Sequence, residues 1–105
     1  MTARPIRLML VDDHPLVRDG LRARLEAVPG LQVVAEADCA DTAVALAQSA
    51  SPDLVLMDIG LRGANGIEAT RRLRAVLPAL RVVVLSMHDN AATVREALRA
   101  GAVGY

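Results

Sequence analysis

Four short apolar runs, Ile6 to Val11, Leu31 to Ala35, Leu54 to Met57 and Arg81 to Leu85, recur along the chain with little polar interruption. A strand with one wet face alternates apolar and polar residues, whereas a strand covered on both faces does not. These runs therefore predict strands buried between two layers of helices. The intervening segments carry helical spacing: Leu16 or Val17 with Leu21, Leu25 and Val28; Ala43, Leu46 and Ala47; Ile67, Thr70, Leu73 and Leu77; and Val94, Ala97 and Leu98. The alternation of strand and helix specifies an α/β fold, a parallel sheet with right-handed crossovers.

The punctuation between segments agrees. Pro29-Gly30 closes the first helix, Asp41 is expected to N-cap the second and Ser51-Pro52 to stop it, Pro78 ends the third and Gly101 the fourth. Ala102-Val103-Gly104-Tyr105 reads as the opening of a fifth strand. With 105 residues and no repeat or linker, the chain is expected to form one domain, and a chain of this size buries roughly two-thirds of its unfolded surface.

Composition narrows the function classes. Cys39 alone cannot form an internal disulfide, and Cys39, His14 and His88 do not supply a zinc cluster at usable spacing. A reducing, cytoplasmic setting is expected. Twelve Lys+Arg balance twelve Asp+Glu, so the basic face that releases counterions from nucleic acid is not expected here. No apolar run approaches the ~18 residues that cross a bilayer, so no membrane partner is expected. Every basic residue is Arg, which excludes a lysine amine as a reacting group in this segment.

Ligands of open parallel sheets gather outside the carboxyl ends of the strands. Strand one ends in Asp12-Asp13, strand three in Asp58 and strand four in Ser86. Two carboxylates about 4 Å apart repel by roughly 4 kcal/mol at an effective dielectric near 20, and a divalent cation relieves that repulsion. Hard oxygen ligands and retained water suit Mg²⁺. One acid after a strand is better explained as a helix cap. Capping does not explain Asp58, which follows a separate strand and precedes Gly60, Gly63 and Gly66. Ser86 alone reads as a strand-end hydroxyl. His14 is read as a polar residue opening a helix before Pro15, and Arg62, Arg71, Arg72 and Arg74 as a solvated surface. His88 and Asp89 are read as loop, with Asn90 as a cap for the fourth helix.

Taken together, the segments 11–21, 53–59, 65–69, 84–89 and 100–105 resemble the receiver domains of two-component response regulators, especially those with a LuxR-type DNA-binding output. The carrying motifs include Val11-Asp12-Asp13-His14-Pro15, Met57-Asp58-Ile59 and Leu85-Ser86-Met87. The resemblance implies a flavodoxin-like doubly wound sheet in the order 2-1-3-4-5, the order known for receiver proteins. It implies Asp58 as phosphoacceptor, Asp12 and Asp13 as the acids that hold Mg²⁺ and the Gly60 carbonyl as a backbone ligand. Ser86 would be the hydroxyl that meets the phosphoryl group and Tyr105 the switch aromatic.

The same resemblance implies a sensor histidine kinase as donor, a second protomer as partner on activation, and DNA contact only through a C-terminal domain outside this segment. The domain assists its own modification and is not expected to turn over an external substrate. The chain departs from the family in having Arg62 where Pro is usual and Ala64 where Met is frequent. The family's site Lys would fall beyond Tyr105, so the expectation is a receiver, 1–105, incomplete at its C-terminus: no helix five, an apolar patch left beside the first helix, and lower stability than a full receiver. Two competing functions are a phosphorylation-silent interaction domain that keeps the fold, and a doubly wound enzyme holding a nucleotide or flavin. The second lacks a Gly-rich loop after strand one, where Asp12-Asp13-His14-Pro15 stands.

Overall fold

The computed structural model describes residues 4–59, 66–85 and 91–104. Eight elements alternate along them: β1 (Ile6–Val11), α1 (Pro15–Glu26), β2 (Leu31–Ala37), α2 (Ala40–Ala50), β3 (Leu54–Asp58), α3 (Gly66–Val76), β4 (Arg81–Leu85) and α4 (Ala91–Arg99). The strands form one parallel sheet in the order β2-β1-β3-β4. After α4 the chain reaches the outer edge of β4: Val103 N–H donates to Val82 O at 2.8 Å and Val84 N–H to Gly104 O at 3.0 Å. That single parallel bridge, Val83 to Gly104, occupies the fifth position, and no fifth strand forms among the described residues.

The near-continuous apolar runs are explained by where they sit. Met9, Val11, Val55, Met57, Val82 and Val84 are buried, and Ala43, Ala47, Ala69, Leu73 and Ala97 of the helices close over them. Small side chains on α2 let that helix lie close to the sheet and to α3. The outer helix α1 differs: it has no buried residue, its Leu16 and Val17 are exposed, Leu16 by 87%, and so is Val28 just beyond its end.

Several local expectations need correction. The second strand runs on to Ala37 because Glu36 and Ala37 pair with Leu10 and Val11; the charge of Glu36 hid this from the apolar pattern. Asp41 does not cap α2. Cys39 is the N-cap, in extended backbone, its thiol donating to Thr42 Oγ1 at 3.2 Å, while Asp41 lies in the first turn and pairs with Arg72 at 2.7 Å. Arg71 and Arg72 stay at the surface, but Arg74 does not. Its half-buried guanidinium donates to the carbonyls of Pro78 and, at 2.8 Å, Leu80, the chain just beyond the end of α3. Gly101, at φ +110°, turns the chain out of α4 against the Arg74 side chain. Arg62, Ala64, His88, Asp89 and Asn90 lie outside the described residues.

Candidate functional site

Register brings the acids together. Val11 pairs with Met57 across β1 and β3, so Asp12 and Asp58 follow on the same rung at the carboxyl ends of adjacent strands. Asp12 is fixed further by its N–H, which donates to Ala37 O of β2 at 3.0 Å, and is 7% exposed. Asp13 follows it into the turn. At the far side of the site, Gly66 N–H donates to Ile59 O at 2.7 Å, tying the first residue of α3 to the end of β3. A Cβ at Gly66 would run into the Asp58 carbonyl and lie 2.9 Å from Ile59 Cα, so only glycine fits this approach. Thr70, wholly buried, donates through Oγ1 to Gly66 O at 2.7 Å and firms the same turn.

The structure adds a residue to which the sequence pattern alone assigned no chemistry. Asp12 Oδ1 accepts the backbone N–H of His14 at 2.8 Å, which folds the turn so that the imidazole comes back over the acids. Its Nδ1 lies 2.8 Å from Asp12 Oδ1, 3.0 Å from Asp13 Oδ1 and 3.7 Å from Asp58 Oδ2. The hydrogen bond to Asp12, followed by the charge of Asp13, raises the His14 pKa above its usual range. His14 is also the N-cap of α1 by backbone conformation, with Pro15 in the first turn, so the expected helix-opening role holds beside the new one. Its adjacency to Asp12-Asp13 was the signal available in the sequence.

Asp12, Asp13, His14 and Asp58 can each offer one ligand atom, all within 4.8 Å of one another. Mg²⁺ takes ligands at about 2.1 Å, so ligands on opposite sides of the ion stand about 4.2 Å apart, and the cluster, spanning up to 4.8 Å, would draw in slightly around an ion. The donor set fits too: three carboxylates are hard oxygen ligands. Asp13 Oδ1 is buried and, the nearby His14 Nδ1 aside, meets no well-aligned hydrogen-bond donor among the described residues. Gly60, Ser86 and Tyr105, implied as backbone ligand, phosphate hydroxyl and switch aromatic, lie outside the described residues.

An open cleft of about 630 Å³ lies at the opposite, amino end of the sheet, lined by Arg4, Pro52, Asp53, Leu77, Leu80 and Arg81 among others. Its acid is already matched. Asp53 accepts from Arg4 Nη2 at 2.6 Å and from the Arg7 backbone N–H at 2.9 Å. The chemistry-bearing cluster lies instead at the carboxyl ends. No helix among the described residues is long and apolar enough to cross a membrane.

Comparison with known proteins identifies the family. Residues 8–105 match the family described as response regulator receiver domain. The response regulator GacA of Pseudomonas aeruginosa is 42% identical over 100 residues, which cover 95% of this chain and 47% of that protein. The transcriptional regulatory protein MctR of Rhizobium johnstonii is 43% identical over 106 residues, covering all of this chain and 50% of its own. The chain thus spans about half the length of the curated relatives it matches. Among solved structures, a LuxR-family two-component response regulator from Aurantimonas sp. SI85-9A1 superposes with a TM-score of 0.93 at 48% identity, over 96% of this chain and 72% of that one. The response regulator domain of Thermotoga maritima CheB gives 0.90 at 37%, over 96% and 76%.

Proposed function

We propose, from the premise that this chain belongs to the response regulator receiver domain family, that it accepts a phosphoryl group on Asp58 from a sensor histidine kinase. The observation that carries the reading is the meeting of Asp12, Asp13 and Asp58 at the carboxyl ends of neighbouring strands. Residues 1–105 act as one receiver unit. Asp12, Asp13 and Asp58 would hold Mg²⁺, with the Gly60 carbonyl as a further ligand. When bound, the ion supplies neutralisation of charge on the phosphoryl oxygens.

The rest of the chemistry belongs to the chain. A carboxylate oxygen of Asp58 forms its bond to phosphorus as the P–N bond of the donor phosphohistidine breaks, the bonding pair leaving with the imidazole, through a loose in-line transition state. Asp12 and Asp13, anchored at the end of β1, keep the nucleophile and the incoming group aligned. The product carries about −1.5 to −2 charge and new acceptor oxygens, which would engage Ser86 and draw Tyr105 after it. A changed surface around α4 and the segment beyond it would then be read by a partner, including a second copy of the chain. Transcriptional control would follow through a further domain, as the name of the MctR relative suggests for that protein.

Beryllofluoride with Mg²⁺ tests this reading. Backbone amide shifts are expected at Asp12, Asp13, Asp58 and Ile59, and none in Asp58→Ala. A folded wild-type chain with no shifts would instead make this a phosphorylation-silent interaction domain.

A further inference from the structure

Arg18 projects from the first turn of α1 back to the end of β1, where its Nη1 donates to the carbonyl oxygen of Asp12 at 2.8 Å. That carbonyl belongs to the peptide joining Asp12 to Asp13. Because a peptide unit is planar, a donor that fixes its C=O also fixes the nitrogen that carries Asp13. The other side of Asp12 is already tied by its N–H to Ala37 O. The two bonds together fix the backbone on both sides of Asp12 and the nitrogen of Asp13.

Arg18 also faces a counter-charge, an ion pair without an aligned hydrogen bond at its Nε. Its Nε stands 3.3 Å from Glu36 Oε1, on β2, and the two side chains are only 21% and 23% exposed. Glu36 Oε2 accepts from Arg22 at 2.7 Å, so the carboxylate that braces Arg18 is oriented from a second direction. We infer that Arg18, braced by Glu36, is a positioning residue that sets the Asp12–Asp13 pair for cation binding. The inference rests on the metal-site reading above. Groups that orient metal ligands without touching the ion change affinity about 10- to 100-fold when removed.

The experiment is a Mg²⁺ titration of the 105-residue chain followed by amide shifts, with metal-free thermal unfolding measured beside it. Arg18→Ala is expected to weaken Mg²⁺ about tenfold. Arg18→Lys keeps a donor and a charge without the guanidinium fork and should recover part of the loss. Arg22→Ala shares the Glu36 contact but not the Asp12 carbonyl, and should bind Mg²⁺ as wild type does. Wild-type affinity in Arg18→Ala overturns the inference, as does an equal loss in Arg22→Ala, which would mark a purely structural ion pair. If Arg18→Ala does not fold, Arg18→Lys decides: weaker binding than wild type supports the inference, and unchanged binding overturns it. A wild-type chain that takes up no Mg²⁺ would sink the metal-site reading and this inference together, a result distinct from the others.

Discussion

Asp53 and Asp58 lie five residues apart, at opposite ends of β3, and the chain treats them in opposite ways. At the amino end, Asp53 is surrounded by donors: the Arg7 backbone N–H and the Arg4 guanidinium. Arg7 meanwhile turns its side chain to the carbonyls of Ala50 and Ser51, closing the end of α2. Each of these groups finds its partner within the chain. At the carboxyl end, Asp58 meets Asp12 and Asp13, and the exposed imidazole of His14 stands over all three. Asp53 is thus met by separate donors, whereas three carboxylates at the other end share one imidazole, the arrangement on which the proposed Mg²⁺ site draws. Like charges held together cost stability, and that cost is tolerated where binding needs it.

The strongest way to break the comparison is to disturb the turn that brings α3 against Asp58. Gly66→Ala places a methyl group into the Asp58 carbonyl, and the backbone must move. We expect a loss of about 3 kcal/mol in urea unfolding, with Mg²⁺ binding lost in the fraction that remains folded. Retention of both would mean that the turn is soft and that the acid cluster is not held by it. Thr70→Val tests the same turn more gently. It strips the buried donor from Gly66 O and should cost about 1 kcal/mol.

Charge removal at the two ends should have opposite signs. In metal-free buffer, Asp13→Asn relieves repulsion among the acids at the carboxyl end and should stabilise the chain by about 1 kcal/mol while weakening Mg²⁺ severely. A destabilised Asp13→Asn would show that the cluster is internally compensated and erase the contrast with Asp53.

How much of this was legible in the sequence depends on the length of the interactions involved. The strands were readable because burial on both faces leaves a continuous apolar run, and β2 was cut short only where Glu36 interrupts that run. Asp12, Asp13 and Asp58 were readable because a parallel sheet delivers strand ends to one rim, whatever the details of packing. His14 was adjacent to the acids in sequence, yet its ring is directed by the Asp12 side chain, a contact that no periodicity encodes. Arg18 and Arg74 were hidden for a related reason. Long side chains that reach backbone carbonyls several residues away follow the local fold, and any arginine on a polar helix face looks alike before that fold is known.

The smallest effect belongs to the amino end, and pH is the way to read it. The Arg7 backbone N–H, and after it Arg4, hold the Asp53 carboxyl below the usual carboxylate range. A depressed folded pKa means that the unfolded chain binds the proton more readily, so the stabilisation is fully present above the ordinary Asp pKa and fades as pH falls through the lower, folded value. Asp53→Asn should therefore be less stable than wild type at neutral pH, by a small margin because Arg4 is 71% exposed and water screens the pair. Urea midpoints taken from about pH 7 to about pH 3 should show the two curves converging on the acid side. Curves that stay parallel throughout would assign the role of Asp53 to shape and hydrogen bonding rather than charge, and the acids at the carboxyl end could then no longer be set against it on electrostatic grounds.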